Sequence, residues 1–328
     1  MPQNLHILNK MSNNRRIETK SSATASIMCL VRAASYRDKR ECYSGPDYIA
    51  YELVPFFFKL IVKSKWLFKV FSRRYFSEGI YEYVIARTKY FDAAFIAALE
   101  QRFDQIVIFG AGFDSRALRF RDLNNGTTVF ELDARATQQD KLKAYKSKEL
   151  AVPENVTFVP IDFNKESLRD KIGRAGFVVG KKTLFMLEGV TMYLSKEAVE
   201  DTLSFISESS GKGSKVVFDH IYSGVLRGEN KYYGEKGMYK RTAKVGEEWT
   251  FALEENETEP FLNKFGFDVK DYCNAHELEE RYFKNSSGTV AKINGIHAIV
   301  TGIKRLQVPM LQGERLSSPG VDSARKLT

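Results

Sequence analysis

The chain has 328 residues, 43% hydrophobic and 28% charged, the proportions of an ordinary globular protein. Its net charge of +9 sits at the ends: residues 1–40 carry eight Lys/Arg against two Asp/Glu, residues 301–328 five against two, and residues 41–300 are balanced. A balanced body argues against a nucleic-acid enzyme, which would carry its basic surface on the folded domain.

In chain order, residues 1–20 are polar and aperiodic and read as a disordered basic tail. The first thirty residues lack the continuous apolar core of a secretory signal. Residues 21–99 follow a helical pattern, interrupted at Ser44-Gly45-Pro46 and at Pro55. Within it, Leu53–Phe71 (LVPFFFKLIVKSKWLFKVF) is the most membrane-like stretch, but Lys59, Lys63, Lys65 and Lys69 interrupt it too often for a spanning helix. A helix lying on a bilayer surface is one reading. A helix packing its aromatics over the domain or a cleft is the favoured one.

Residues 106–116 then read IVIFGAGFDSR: an apolar strand, a glycine turn and a helix start. Gly110 and Gly112 let backbone turn sharply and approach a ligand that a Cβ would block. A second strand ends in Asp133, 23 residues after Gly110, where the acid of a nucleotide-binding βαβ unit meets ribose hydroxyls. A dinucleotide fingerprint needs a third glycine; that position is Ser115 here. S-adenosylmethionine, which has the adenosine and no phosphate, suits the turn better than NAD.

Strands are expected at 106–109, 128–132, 156–161, 183–187, 215–219, 267–272 and 296–303, and helices at 114–120, 134–148, 164–174, 195–209 and 257–265. This alternation predicts an α/β fold with a parallel sheet covered on both faces, its ligand at the carboxyl edge. The last strand has no helix after it, as in methyltransferase sheets whose final strand is antiparallel. Beyond Arg305 the chain turns polar, so 306–328 reads as a flexible tail.

Two further carboxylates stand at strand ends. Asp162, followed by Phe163, could accept from an adenine amino group, or it could cap a helix starting at Asn164. Glu188 follows four apolar residues, where a carboxylate is costly unless paired or ligand-facing. It suits a cofactor ammonium or sulfonium, and Tyr193 could line the methyl-transfer pocket. Cys29, Cys42 and Cys273 are odd in number and lack metal-type spacing, and the four histidines are scattered. No disulfide framework and no metal site is expected, and a reducing cytoplasm is the default compartment.

The segments YVIARTKYFDAAF, FGAGFDSRALR, VFELDARATQQDK, VPIDF and LEGVTMYLSKEAVEDTLSFI together resemble the leucine carboxyl methyltransferase family, including its broad bacterial and archaeal branch of S-adenosylmethionine-dependent methyltransferases. The likeness extends through KVVFDHI, GEEWTFAL and KFGFDV, roughly residues 20–305. It implies a class I methyltransferase (Rossmann-like) seven-stranded sheet over 100–305, a helical N-terminal lid over 21–99 and a lid insertion at about 221–257. It also implies that Arg87 grips the cofactor carboxylate, with Gly110, Gly112, Asp133, Asp162, Phe163 and Glu188 completing the cofactor site. Ser115 replaces the family's usual Thr, and His220 replaces a common Tyr after the fifth strand.

The expected activity is O-methylation of a carboxylate or acidic hydroxyl on a small molecule or a chain-terminal group. A carboxylate acceptor needs alignment rather than a base. A hydroxyl would need one, with His220 or a cleft tyrosine such as Tyr193 the first candidate. Three alternatives remain: a tRNA-modifying methyltransferase of a neighbouring branch, an NAD-dependent oxidoreductase, and a non-catalytic cofactor-binding or membrane-surface protein.

Overall fold

The computed structural model describes residues 22–163, 165–236, 238 and 248–305. The expected tails, and most of the middle of the expected 221–257 insertion, lie outside the described residues. Five helices come first: α1 (Ala23–Arg37), α2 (Tyr48–Leu53), α3 (Phe56–Lys63), α4 (Lys65–Tyr75) and α5 (Ile80–Glu100). Two of their four breaks fall where the sequence places them, and two more, at Ser64 and at residues 76–79, do not. Asp47, directly after Gly45-Pro46, caps α2 by accepting from Ala50 N–H at 2.9 Å, and Pro55 stands immediately before α3.

The alternating region follows as β1 (Gln105–Phe109), α6 (Arg116–Arg119), β2 (Thr128–Asp133), α7 (Arg135–Ser147), β3 (Val156–Pro160), α8 (Leu168–Arg174), β4 (Thr183–Leu187), α9 (Lys196–Ser209), β5 (Lys215–Ile221), α10 (Ser223–Arg227), α11 (Thr258–Lys264), β6 (Phe267–Cys273), α12 (Ala275–Tyr282) and β7 (His297–Lys304). The seven strands form one sheet in the order β3-β2-β1-β4-β5-β7-β6. β1 to β5 run parallel, and β7 lies antiparallel between β5 and β6. This is the class I methyltransferase sheet, including its reversed last strand.

Side chains alternate across each strand and build two cores. Ile106, Ile108, Leu184, Met186, Val217 and Ile299 face α5, meeting Tyr83, Val84, Phe91 and Phe95. Val107, Phe109, Phe185, Leu187, Val216 and Phe218 face the other way, toward Val199, Leu203 and Ile206 of α9 and Phe261 and Leu262 of α11. Two elements are shorter than the sequence suggests. The helix expected at 114–120 is one turn followed by a 3₁₀ turn at Arg121–Leu123. The helix expected from 164 starts only at Leu168, where Ser167 Oγ accepts from Asp170 N–H at 3.3 Å.

Candidate active site

Parallel pairing brings the ends of β1 to β4 to one edge. Phe109 is level with Leu132 on one side and Leu187 on the other, so the glycine turn lies between Asp133 and Glu188. Gly110 and Gly112 both have left-handed backbone, with φ of +57° and +49°. A Cβ on Gly110 would meet Val190 Cγ2 at 2.5 Å, and one on Gly112 would meet Ala25 Cβ of α1 at 3.2 Å. Helix α1 therefore covers the turn.

Asp133 fixes that turn. Its carboxylate accepts from Gly112 N–H through one oxygen and from Ala134 N–H, at 2.6 Å, through the other. Burial raises its pKa above the usual range, against the lowering effect of these two donors. After β3, the Asp162 carbonyl accepts from Lys165 and Glu166 N–H at 3.1 and 2.9 Å, and Glu166 accepts from Asp162 N–H at 2.9 Å. The cap of α8 is Ser167, and Asn164, where the helix-capping reading of Asp162 starts its helix, lies outside the described residues. Phe163 sets its ring 6.1 Å from that of Phe109.

Beneath the edge lies a buried ionic group. Arg87 on α5 donates through Nε to Glu188 and through Nη1 to Asp219, both at 3.1 Å. Arg116 donates to Asp92 at 2.7 Å and to Asp114, and its Nη2 lies 2.8 Å from Glu188. Arg119 forks onto Asp92 at 2.7 Å, and Arg32 pairs with Asp47 at 2.8 Å. Ser115 Oγ donates to Asp47 at 2.7 Å. Asp219 also accepts from Tyr83 Oη at 2.7 Å and Gly189 N–H at 2.6 Å.

Neighbouring guanidiniums hold Glu188 and Asp114 as carboxylates. Burial alone would raise the pKa of Glu188, but Arg116 and Arg87 hold it below the usual carboxylate range. Burial opposes and Arg116 overrides in the same way at Asp114, which falls to about 2. Four guanidiniums thus face five carboxylates among the described residues, leaving one negative charge in excess.

His220 is corrected as a candidate base. It is fully buried in β5, with Nδ1 3.1 Å from the Ile221 carbonyl and Nε2 3.0 Å from Thr258 Oγ1. Burial pushes its pKa down to about 4. Both nitrogens are engaged and the ring is shut in, the arrangement of a core histidine. Tyr193 lies half-buried in a 3₁₀ turn, Thr191–Tyr193, against a cluster containing Ile221, Tyr222 and Trp249.

Beside the ionic group, His297 stacks on Tyr83 with ring centroids 3.9 Å apart and meets Trp249 edge-on at 6.4 Å. Trp249 Nε1 and His297 Nδ1 are buried without a hydrogen-bond partner among the described residues. Burial, then Arg87 and His220, hold the His297 pKa well below its ordinary value, so the ring is neutral. Sequence reasoning did not single out Tyr83, Asp92, Asp114, Arg116, Asp219 or His297; it named Trp249 only as one of several aromatics suited to a bulky acceptor. Part of the signal was present: Arg87 and Asp92 interrupt an otherwise apolar helix face, which is costly unless both are paired.

The chain is similar to several known proteins. The leucine carboxyl methyltransferase profile matches residues 46–207. YktD of Bacillus subtilis, which bears the name of an S-adenosyl-L-methionine-dependent methyltransferase, is 29% identical over 215 residues, covering 66% of this chain and 70% of that protein. A similarly named protein of Mycolicibacterium smegmatis is 35% identical over 164 residues, 47% of this chain; the match spans about half (51%) of the relative's length. An O-methyltransferase family protein of Burkholderia thailandensis aligns with a TM-score of 0.45 and 9% identity, covering 66% of this chain and 55% of that one. Residues 46–207 are similar to the leucine carboxyl methyltransferase family, and the chain is an S-adenosyl-L-methionine-dependent methyltransferase.

Proposed function

We propose that the protein is an O-methyltransferase whose acceptor is a carboxylate, or an equally acidic hydroxyl, on a small molecule or a chain-terminal group. In this reading Gly110 and Gly112 give the cofactor close access to backbone, Asp133 receives the ribose, Asp162 and Phe163 meet the adenine, and Arg87 and Glu188 face the amino-acid end. The observation that carries it is the ionic group at the strand ends, with five carboxylates to four guanidiniums. A buried group with one uncompensated negative charge favours a ligand of net charge +1. The sulfonium cofactor, with its ammonium and carboxylate, has that charge.

The donors beside this group favour an oxygen acceptor. The Trp249 indole N–H can only donate, so an accepting atom on the substrate would satisfy it. His220 is enclosed and close to neutral across the physiological range. A carboxylate needs no base, because the sulfonium supplies the leaving group and the protein has only to align the reactants and exclude water. Such positioning supplies ~7–11 kcal/mol. Helix α1 acts as a cover that excludes water, with Ala25 poised over Gly112. The aromatic surroundings of Trp249, Tyr222 and Tyr232 suit an apolar or aromatic acceptor body.

The test is methyl transfer from labelled cofactor into cell extract, followed by mild alkali. Release of the label as methanol is the expected result. Label that survives alkali marks an ether or amine product and overturns the carboxylate reading.

A further inference from the structure

Helices α3 and α4 carry their largest apolar side chains on the outside. Phe56, Phe57 and Trp66 are 75%, 68% and 69% exposed, and Leu60, Leu67, Val70 and Tyr75 are exposed as well. Globular surfaces rarely gather this many large apolar side chains on neighbouring turns unless something binds there.

The spacing is regular. Phe56, Leu60 and Lys63 recur at i, i+4 and i+7 on α3, and Trp66, Val70 and Arg73 do the same on α4. Each apolar stripe thus ends in a cation one turn on. The opposite faces are already used. Val62 is buried, Phe58 meets Phe71 edge-on at 6.3 Å, and Phe68 meets Tyr81 at 5.1 Å. The exposed stripes are therefore a second face, not a poorly packed first one.

Charge identifies the partner. Residues 53–77 contain Lys59, Lys63, Lys65, Lys69, Arg73 and Arg74 and no Asp or Glu, although the chain outside its ends is neutral overall. Lys59 pairs with Glu52 at 2.9 Å, and a hydrophobic protein partner would explain the aromatics but not the five further cations. No described helix is long and apolar enough to cross a membrane. Aromatics flanked by snorkelling cations are what an interfacial helix presents to an anionic bilayer.

We propose that the outer face of α3 and α4 docks on the surface of a membrane rich in anionic lipid. Phe56, Phe57 and Trp66 enter the headgroup–acyl boundary, and Lys63, Lys69, Arg73 and Arg74 lie at the level of the lipid phosphates. Phe56, Phe57 and Trp66 face solvent and are none of the strand-end residues assigned to the methyl-transfer site, so the two readings succeed or fail separately.

The full chain should float with vesicles of equimolar phosphatidylcholine and phosphatidylserine, stay behind with phosphatidylcholine alone, and be released as salt is raised. The chain has two tryptophans and Trp249 is buried, so a blue shift of emission on binding reports Trp66. The variant Phe56→Ser/Phe57→Ser/Trp66→Ser should lose about tenfold or more in vesicle affinity. Its calorimetric affinity for S-adenosylhomocysteine should not change. Three results overturn the proposal: no flotation of the native chain on anionic vesicles, full retention by the variant, or no lipid binding together with a native dimer that the variant dissolves. Should the triple variant fail to fold, an unshifted Trp66 emission in the native chain overturns it by itself.

Discussion

The inner and outer helices of the N-terminal region break the usual pattern in opposite directions. Helices α1 and α5 turn Arg32, Arg87 and Asp92 inward, where all three are nearly buried and paired. Helices α3 and α4 turn Phe56, Phe57 and Trp66 outward. Each arrangement is costly alone: a buried charge loses water, and an exposed aromatic orders it. That both occur within eighty residues of an otherwise regular fold teaches that local rules fail where something must be bound. The inner failure faces the strand ends. The outer failure faces solvent.

The sharpest way to break this comparison is to remove an inner charge. Arg116 holds Asp92, Asp114 and Glu188 together. Arg116→Met should leave these carboxylates without their shared cation and destabilise the fold by ~3–5 kcal/mol, read from denaturant midpoints. Arg87→Ala should behave similarly, because Asp219 is fully buried and loses its guanidinium partner. A melting curve unchanged in either variant would show that the inner charges are not a structural unit.

A second test separates the inner groups that keep their charge from one that does not. His220 titrates at about 4 when folded against 6.5 when free, because burial disfavours the imidazolium. The unfolded chain therefore binds the extra proton first as pH falls. Stability from the neutral ring is complete above pH 6.5 and is lost progressively down to about pH 4, by ~3 kcal/mol. The advantage of the native chain over His220→Gln should shrink by about that amount across this window, followed by urea titrations at each pH. A constant difference would mean that the imidazole titrates normally and reaches water.

Asp133 stands at the rim, where a structural contact meets an expected ligand contact. Asp133→Ala should weaken S-adenosylhomocysteine binding at least ~tenfold, about 1.4 kcal/mol, by calorimetry, with the chain still folded. Unchanged affinity would confine the residue to holding the Gly112 turn.

The sheet was largely legible because β-strands at its centre are short apolar runs with hard stops. β4 falls on the expected residues, and Gly110, Gly112, Asp133 and Glu188 share one edge because parallel strands end together. The ionic group was not legible. The sequence puts Arg116 only at a helix start, and its burial depends on Asp92, 24 residues earlier, and Glu188, 72 later. His220 failed for the same reason: a strand histidine looks reachable until Thr258, from α11, closes over Nε2. The aromatic stretch 53–71 was half legible, since periodicity gives two faces to α3 and α4 but not which one meets the protein.

That last ambiguity supplies the smallest expected effect. Phe57 and Phe58 are adjacent in sequence, yet Phe57 is exposed while Phe58 sits in the packing with Phe71. Truncating Phe58 to Ala removes contacts that hold α3 on α4 and should cost on the order of 2 kcal/mol, below the range for a fully buried ring because the site is half-buried. Truncating Phe57 to Ser removes surface that water already reaches in both states, so the denaturant midpoint should move by less than about 0.5 kcal/mol. If the outer ring proves as costly as the inner one, it is covered in solution, and the contrast between a packed face and a docking face disappears.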